Sequence, residues 1–285
     1  MVSVVIPVYN GAQVLPRTVP AVLAMTDVDE MVWVDDGSTD GTRDVLAALV
    51  AGHPGARHIR FASNRGRSAA RNAGVAATEH EVVVFLDADV EPALGTARAL
   101  AAPLGDAGAI ASVARQTPVP SDPSDAYQDY AVHHPRGPSP HAAPGDVVDW
   151  KYFVTGACAV SREAFERAGG FPEAVRYGED IAIRRELARD HPSGLRLADA
   201  SVRVHDLDTL AGALGKFAAL GPRLPDLGLT TNRQVLGALR RIAAMLAPAR
   251  APVVRLVDRS KPSPLRRWAT RWLLAHALLD AGDES

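Results

Sequence analysis

Apolar runs alternate with helix-forming segments through the first third of the chain, and this alternation constrains the fold more than any other feature. Four runs are typical of buried strands, namely Val2–Val8, Met31–Val34, His58–Phe61 and Val82–Leu86. Segments of helical periodicity lie between them, near residues 14–24, 41–50 and 67–77. Strands that alternate with helices predict an α/β fold, with a mostly parallel, Rossmann-like sheet flanked by helices.

Two carboxylates one residue apart, Asp87 and Asp89, directly follow the fourth strand. Ligands of open α/β sheets bind outside the carboxyl ends of the strands. Carboxylates are hard oxygen ligands that hold Mg²⁺ or Mn²⁺ together with substrate phosphates. The pair therefore predicts a divalent-cation site, and the alternative is a pair of solvated turn residues.

The first two strands end in polar loops that a parallel sheet brings to the same edge. Tyr9 and Asn10 follow the first strand, and Asp36 follows the second. A stacking ring and a carboxylate that accepts an imide or amino hydrogen suit a nucleobase, whereas the alternative is a turn with a helix N-cap. Neither loop carries a dinucleotide-binding or P-loop motif, so phosphates must be bound by other groups.

Arg67 and Arg71 lie four residues apart at the start of the third helical segment. Arginine side chains and the free N–H groups of a helix N-terminus both favour a pyrophosphate. We therefore expect a phosphate contact here, and the alternative is a solvated basic face.

Four motifs, in their order and spacing, resemble the family 2 glycosyltransferases of the GT-A fold, over residues 2 to about 190. The motifs are Val4-Val5-Ile6-Pro7-Val8-Tyr9-Asn10, Val34-Asp35-Asp36-Gly37-Ser38-Thr39-Asp40, Ala70-Arg71-Asn72-Ala73-Gly74 and Phe85-Leu86-Asp87-Ala88-Asp89. The resemblance implies an inverting enzyme that uses a UDP-, dTDP- or GDP-sugar donor, an acceptor hydroxyl and a divalent cation, Mn²⁺ or Mg²⁺.

The resemblance also implies roles for individual residues. Tyr9 and Asp36 match the pair that recognises the base, while Asp87 and Asp89 match the D-x-D motif, reaching the ribose and the metal diphosphate respectively. The residues expected to contact the nucleotide are Pro7, Tyr9, Asn10, Asp36, Arg67, Arg71, Asp87 and Ala88.

The later part of the matching region supplies the remaining expected site residues. Asp180, in the Glu-Asp motif that begins at Glu179, matches the catalytic base, and a helix N-cap role is compatible with that function. Gly156 and Glu179 are expected on the acceptor side. His205 matches a further metal ligand of some GT-A enzymes, and the alternative is a structural histidine at a strand end.

Departures from the family favour a non-processive enzyme. Processive members carry a Gln-x-x-Arg-Trp motif, but Pro264 stands at the glutamine position before Arg267-Trp268, and no apolar stretch reaches membrane-spanning length. One alternative function is a sugar-nucleotide nucleotidyltransferase, which would need a basic, glycine-rich loop after the first strand. The other is a non-catalytic sugar-nucleotide-binding scaffold, which need not retain Asp180.

The chain is expected to divide into a catalytic domain at 1–208 and a helical basic extension at 209–285. Nucleotide-sugar binding falls in 1–115 and the acceptor side in 116–208, which includes a flexible, proline-rich loop at 117–149. Although the net charge is -2, residues 233–271 contain ten basic residues and one acidic residue. This segment favours packing on the acidic body or binding an anionic acceptor, with peripheral membrane contact as the alternative.

The remaining expectations concern compartment and partners. Cys158 is the single cysteine, and no targeting segment is evident, so we expect a cytoplasmic protein, with peripheral contact at the inner face of the membrane as the variant. The acceptor is a small molecule, a glycan or a lipid-linked molecule, and no nucleic-acid partner is expected.

Overall fold

The structure is a computed structural model that describes residues 1–106, 108–175, 178–205 and 207–220. The chain divides into two compact units. The first comprises Met1–Thr117 and Arg136–His205, and the second comprises Pro118–Pro135 and the chain from Asp206 onwards.

Eight strands of the first unit form one sheet in the order β3-β2-β1-β4-β7-β6-β8-β5. The strands are β1 (Val2–Val8), β2 (Glu30–Asp35), β3 (Ala56–Arg60), β4 (Val82–Leu86), β5 (Val90–Pro92), β6 (Ala111–Pro118), β7 (Ala157–Ser161) and β8 (Leu195–Val204).

Eight α-helices accompany the strands in the described part of the chain. They are α1 (Leu15–Leu23), α2 (Thr42–Val50), α3 (Arg67–Ala76), α4 (Thr96–Ala101), α5 (Ala126–His133), α6 (Arg162–Arg167), α7 (Glu179–Asp190) and α8 (Leu210–Leu220). Short 3₁₀ helices occupy Ala102–Gly105 and Trp150–Tyr152.

The sheet is apolar on both faces, which explains the unbroken apolar runs of its first strands. Successive residues of β1 enter different cores, with Val4 and Ile6 in one and Val5 in the other. Trp33 joins the first core and Phe85 the second, and both side chains are almost completely buried. The predicted α/β class with flanking helices is confirmed.

The sheet is parallel across β3, β2, β1 and β4. Strand β7 pairs antiparallel with both β4 and β6, and β5 pairs antiparallel with β8. A parallel pair needs a crossover connection, and the helices α1, α2 and α3 provide one between each of the first four strands. The sequence analysis detected this alternation but did not assign β5 or β6.

Residues 117–149, expected to form one long loop, contain helix α5 in the second unit. The helix fits between Pro123 and Pro135, where no proline interrupts it. Asp125 caps it by accepting hydrogen bonds from the backbone N–H groups of Tyr127 (2.8 Å) and Gln128 (3.1 Å). Proline density was therefore misleading, because an eight-residue helix needs only a proline-free interval and a cap.

Helix α8 begins one residue after the expected start of a helix at Thr209. In the second unit, Tyr127 and Ala213 form a small core with Tyr130, Leu210 and Leu214 packed against it. The rest of the expected helical extension, residues 221–285, lies outside the described residues. None of the described helices combines the length and the apolar character needed to cross a bilayer.

Gly74 lets α3 lie directly on the sheet, since a Cβ at this position would stand 2.2 Å from Val5 Cγ1 and 3.3 Å from Val34 Cγ2. We expect Gly74→Ala to lower the free energy of unfolding by about 1–3 kcal/mol through overpacking. That loss exceeds the gain of about 1 kcal/mol in helix propensity. Urea denaturation provides the measurement. The control is Gly105→Ala, whose Cβ would meet nothing within 4 Å, and equal stability of both variants would contradict the prediction.

Candidate functional site

The loops that follow β1 and β2 are joined by hydrogen bonds at the carboxyl edge of the sheet. Asn10 is the only described residue other than glycine in the left-handed region, with φ +52°. Its backbone N–H donates to Ser38 Oγ (2.9 Å), and its side-chain oxygen accepts from the N–H of Thr39 (2.9 Å). Gly11 N–H donates to Thr42 Oγ1 at 2.8 Å. The two loops expected to recognise the base therefore form one connected surface.

Within this surface, the expected base-recognition residues differ in exposure. Tyr9 is half exposed, whereas Pro7 is buried in β1, opposite Val34. Asp36 is buried, and its N–H donates to the carbonyl of Val8 at 2.8 Å.

The Asp36 carboxylate connects these loops to α3. Its two oxygens accept hydrogen bonds from the N–H groups of Arg65 (2.6 Å) and Gly66 (2.9 Å), directly before the helix. Each carboxylate oxygen has a second lone pair, so these bonds leave acceptor capacity for a ligand. Asp36 thus fixes the start of α3 and retains the chemistry expected for base recognition.

Arg71 of α3 is the most deeply buried charged group of the site, with 1% of its side chain exposed. Its Nη2 donates to Asp87 Oδ1 at 2.6 Å, and its Nη1 lies 3.6 Å from Glu179 Oε1. The guanidinium carbon also stands 4.8 Å from the ring centre of Phe171. Arg71 therefore joins the end of β4 to the first residue of α7.

Asn72, which the sequence analysis assigned no role, holds Phe171 in place beneath Arg71. Its side-chain oxygen accepts from Phe171 N–H (2.9 Å), and its side-chain nitrogen donates to Phe171 O (2.9 Å). The amide group matches both backbone polar groups of one residue, so it clamps the turn before α7 to α3. Its place beside Arg71 in the third motif was the only available signal.

Glu179 lies between two arginines. Arg67 Nη1 donates to Glu179 Oε1 at 3.2 Å, and more than half of the Arg67 side chain is exposed. Burial raises the pKa of Glu179 above its ordinary value although Arg67 lies nearby. Burial alone would lower the pKa of Arg67, but the carboxylates of Asp87, Glu179 and Asp180 raise it.

The expected D-x-D residues form a turn fixed by its backbone. Asp87 N–H donates to Gly156 O (2.9 Å), and the Ala88 carbonyl accepts from Thr18 Oγ1 (2.7 Å). The Asp89 carbonyl accepts from the N–H of His205 at 2.8 Å. Burial alone would raise the pKa of Asp87, but Arg71 and Arg67 hold it below its ordinary range.

His205 is buried next to this turn, with both ring nitrogens in contact with side chains. Its Nε2 lies 2.5 Å from Glu91 Oε2, and its Nδ1 lies 3.3 Å from Arg17 Nη1. A metal bond from His205 would require one of these contacts to break. Across the described residues, no three His, Cys, Asp or Glu side chains converge to hold a metal ion by themselves.

Asp180, the expected base, is the second residue of α7. About a third of its side chain is exposed, and its Oδ2 lies 3.9 Å from Arg184 Nη2. Arg184 is itself fixed by donating to the carbonyls of Phe153 (2.6 Å) and Lys151 (3.3 Å). Asp180 thus lies in the first turn of a helix, with part of its side chain open to solvent.

The tertiary structure thus brings most of the expected residues together. Asp87, Arg71, Arg67 and Glu179 form one chain of ion pairs. Gly156 bonds to Asp87 through its backbone, and Gln116, which the sequence analysis missed, lies against Gly156. Cys158 is completely buried, which raises the pKa of its thiol to about 12.

Comparison with known proteins gives one family match. A family model described as glycosyl transferase family 2 matches residues 3–169. An uncharacterized glycosyltransferase of Nostoc, alr2836, is 49% identical over 89 residues, which are 31% of this chain and 28% of that protein. The pre-mycofactocin glycosyltransferase of Mycobacterium tuberculosis is 29% identical over 233 residues, covering 79% of this chain and 48% of that protein. The matches span between about a quarter and a half of these curated relatives.

Solved structures resemble the fold over nearly the whole chain. The mannosyltransferase PcManGT of Pyrobaculum calidifontis, in complex with GDP-Man and Mn²⁺, has a TM-score of 0.62 at 23% identity, covering 100% of this chain and 88% of its own. Residues 1–349 of S. aureus TarS, in complex with UDP-GlcNAc, give 0.59 at 16% identity, covering 99% of this chain and 90% of that one. Both likenesses support the GT-A fold.

We expect Arg71→Met to lower the free energy of unfolding by about 3–5 kcal/mol, because it removes the partner of buried carboxylates. Adding Glu179→Gln should recover part of that loss, giving a coupling of about 0.5–3 kcal/mol in a double-mutant cycle. Urea denaturation measures both. The control is Arg189→Met on the surface of α7, where Arg189 pairs with the exposed Asp190 and little change is expected. Strict additivity of the Arg71 and Glu179 effects would refute the coupling.

Proposed function

The chain belongs to glycosyl transferase family 2, and from this premise we propose that it moves a glycosyl group from a nucleoside-diphosphate sugar to an acceptor hydroxyl. The observation that carries the proposal is the ion-paired cluster of Arg67, Arg71, Asp87 and Glu179 beside Asp180. The cluster lies where β4 ends, which is the edge at which open α/β sheets bind ligands.

The nature of the donor is supported by likeness to enzymes with bound donors. PcManGT was solved with GDP-Man and TarS with UDP-GlcNAc. Both ligands are nucleoside-diphosphate sugars, and the connected surface of Tyr9, Asn10 and Asp36 offers a ring and hydrogen-bonding groups to a base. The identity of the base and of the transferred sugar is left open within the UDP-, dTDP- and GDP-sugars.

Asp180 is proposed as the general base of an inverting transfer. Its carboxylate takes the proton of the acceptor hydroxyl while that oxygen forms a bond to the anomeric carbon. The bond between the anomeric carbon and the diphosphate oxygen breaks, and its electron pair leaves with the diphosphate. Arg184 keeps the carboxylate in place without burying it, since Asp180 remains partly exposed. Attack from the side opposite the leaving group inverts the anomeric configuration.

Arg67 is proposed to contact the diphosphate. Its guanidinium is more than half exposed and bonds to Glu179 through Nη1. The planar guanidinium group presents several donors, so it can keep one bond to Glu179 and form others to phosphate oxygens. Arg71, by contrast, is buried and holds Asp87.

The carboxylates of the site suit Mg²⁺ or Mn²⁺ if phosphate oxygens of the substrate complete the coordination of the ion. These ions are held by one or two carboxylates together with phosphate oxygens, so three protein ligands are not required. Oδ1 of Asp87 is bonded to Arg71, and Asp89, the second carboxylate of the D-x-D motif, is the residue proposed to hold the ion. A bound cation would stabilise the negative charge that develops on the departing diphosphate. His205 remains a candidate ligand that would first have to release Glu91 or Arg17.

The remaining elements of the proposal rest on the sequence. The acceptor is a small molecule, a glycan or a lipid-linked molecule, bound through the second half of the catalytic domain, and transfer is non-processive. Packing of residues 233–271 on the acidic body or on an anionic acceptor, with peripheral membrane contact as the alternative, and a cytoplasmic location are part of the same proposal. The nucleotidyltransferase alternative has less support, because the loop after β1 contains no basic residue between Asn10 and Gln13.

We expect Asp180→Asn to retain donor affinity and to lower turnover by about 10²–10⁴, the range for loss of a general base. The substitution is nearly isosteric, so folding should be unchanged. Product formation from UDP-, dTDP- and GDP-sugars gives the rate, and calorimetry gives the affinity. The matched control is Asp190→Asn at the exposed end of the same helix. Turnover at the wild-type level in Asp180→Asn would reduce this residue to a helix-capping role.

We also expect donor binding to require a divalent cation and Asp89→Ala to remove most of that requirement. Asp89 matches the carboxylate of the D-x-D motif that reaches the metal diphosphate, so its removal should take away the main protein ligand of the ion. The measurement is calorimetry of the nucleoside diphosphate with Mn²⁺ and with EDTA. Asp199→Ala, an exposed substitution on β8, is the control. Equal affinity of the wild type in Mn²⁺ and EDTA would overturn the metal assignment.

A further inference from the structure

Gly156 lies between the ends of two strands that both carry polar side chains. On one side, Leu86 pairs with Ala157, and the next residue, Asp87, donates its N–H to Gly156 O at 2.9 Å. On the other side, β6 and β7 run antiparallel, with Val113 opposite Cys158. Continuing that register along β6 brings Gln116 close to Gly156, directly before β7 begins.

The missing side chain of Gly156 leaves space that two polar groups occupy. A Cβ on this glycine would lie 2.9 Å from Asp87 Oδ2 and 3.0 Å from Gln116 Nε2. The side chains of Asp87 and Gln116 therefore occupy the space next to Gly156, and a larger residue at position 156 would displace them. Gly156, expected on the acceptor side, has a local reason to be glycine.

The two groups that meet over Gly156 have bonding capacity left. Asp87 uses Oδ1 to accept from Arg71, whereas Oδ2 faces Gly156. Gln116 is partly buried at the end of β6, and within the described part of the chain its side chain forms no hydrogen bond. The donors and the acceptor of this amide are therefore available to a ligand.

We infer that Gln116 and Asp87 Oδ2 together bind adjacent hydroxyl groups of the donor, which makes Gln116 a specificity-determining residue. The inference rests on the proposed function. The carboxylate oxygen accepts from one hydroxyl, and the amide donates to one and accepts from the other. The amide adds this recognition without adding charge to a cluster that already contains Arg67, Arg71 and several carboxylates. The hydroxyls belong either to the ribose or to the transferred sugar.

The test measures binding by calorimetry in Mn²⁺, with UDP, UDP-GlcNAc, dTDP, dTDP-glucose, GDP and GDP-mannose as probes. The variants are then tested with the nucleotide that the wild type binds and with the 2′-deoxy form of that nucleotide. The variants are Gln116→Ala and the similarly sized Gln116→Glu. Thr117→Ala, the exposed neighbour on β6, is the control. Melting temperatures establish that each variant is folded.

We expect Gln116→Ala to weaken binding of the nucleotide sugar about 3- to 10-fold, the effect of one or two hydrogen bonds. Gln116→Glu should weaken it at least as much, because a second carboxylate would face Asp87. Loss for the nucleotide sugar but not for the nucleoside diphosphate assigns the hydroxyls to the transferred sugar. Loss for both, and no loss for the 2′-deoxy form, assigns them to the ribose.

Failure of the inference and failure of the proposed function give different results. If the wild type binds a nucleotide sugar and both Gln116 variants bind it equally well, the inference is wrong and the proposed function stands. If the wild type binds none of the probes, the proposed donor class is wrong and the inference falls with it. If the Gln116 variants lose no more binding affinity than Thr117→Ala, the role of Gln116 is also wrong, because the loss would then come from a general disturbance at the end of β6.

Discussion

The buried guanidinium of Arg71 is the interaction on which the rest of the site depends. A charge with 1% of its side chain exposed is stable only if opposite charges surround it. Asp87 and Glu179 supply those charges from two different elements, and the ring of Phe171 covers one face. The end of β4, the start of α7 and the turn before α7 are therefore held against α3 by one side chain.

Close backbone approaches make this arrangement possible. Helix α3 can present Arg71 to the strand ends because Gly74 lets it lie directly on β1. Gly156 plays the same part at the other side of the site, where its missing side chain admits Asp87 and Gln116. Asn72 completes the scaffold through its paired hydrogen bonds to Phe171. These contacts set the positions of the backbone around the site, and the charged residues supply its reactive and ligand-binding groups.

The sequence pattern predicted a phosphate contact for both arginines of α3, but the two side chains lie in different surroundings. Arg71 is buried and structural in its contacts, whereas Arg67 is exposed and shares Glu179 with it. A diphosphate that approaches Arg67 therefore meets a side chain already oriented by a carboxylate of α7. Since Asp180 is the next residue of that helix, a donor bound as proposed at Arg67 would be linked to the position of the proposed base through Glu179.

The sequence by itself determined β1, β2 and β4, the helices between them, and the placement of Asp36, Asp87 and Asp89 at strand ends, because apolar periodicity and the rule for strand ends are local. Only the tertiary structure decided that β7 would lie between β4 and β6, antiparallel to both, which brings Gly156 and Gln116 to Asp87. It also paired Arg67 with Glu179 across 112 positions of sequence. Such pairings depend on how whole elements pack, and no local period of the sequence records them.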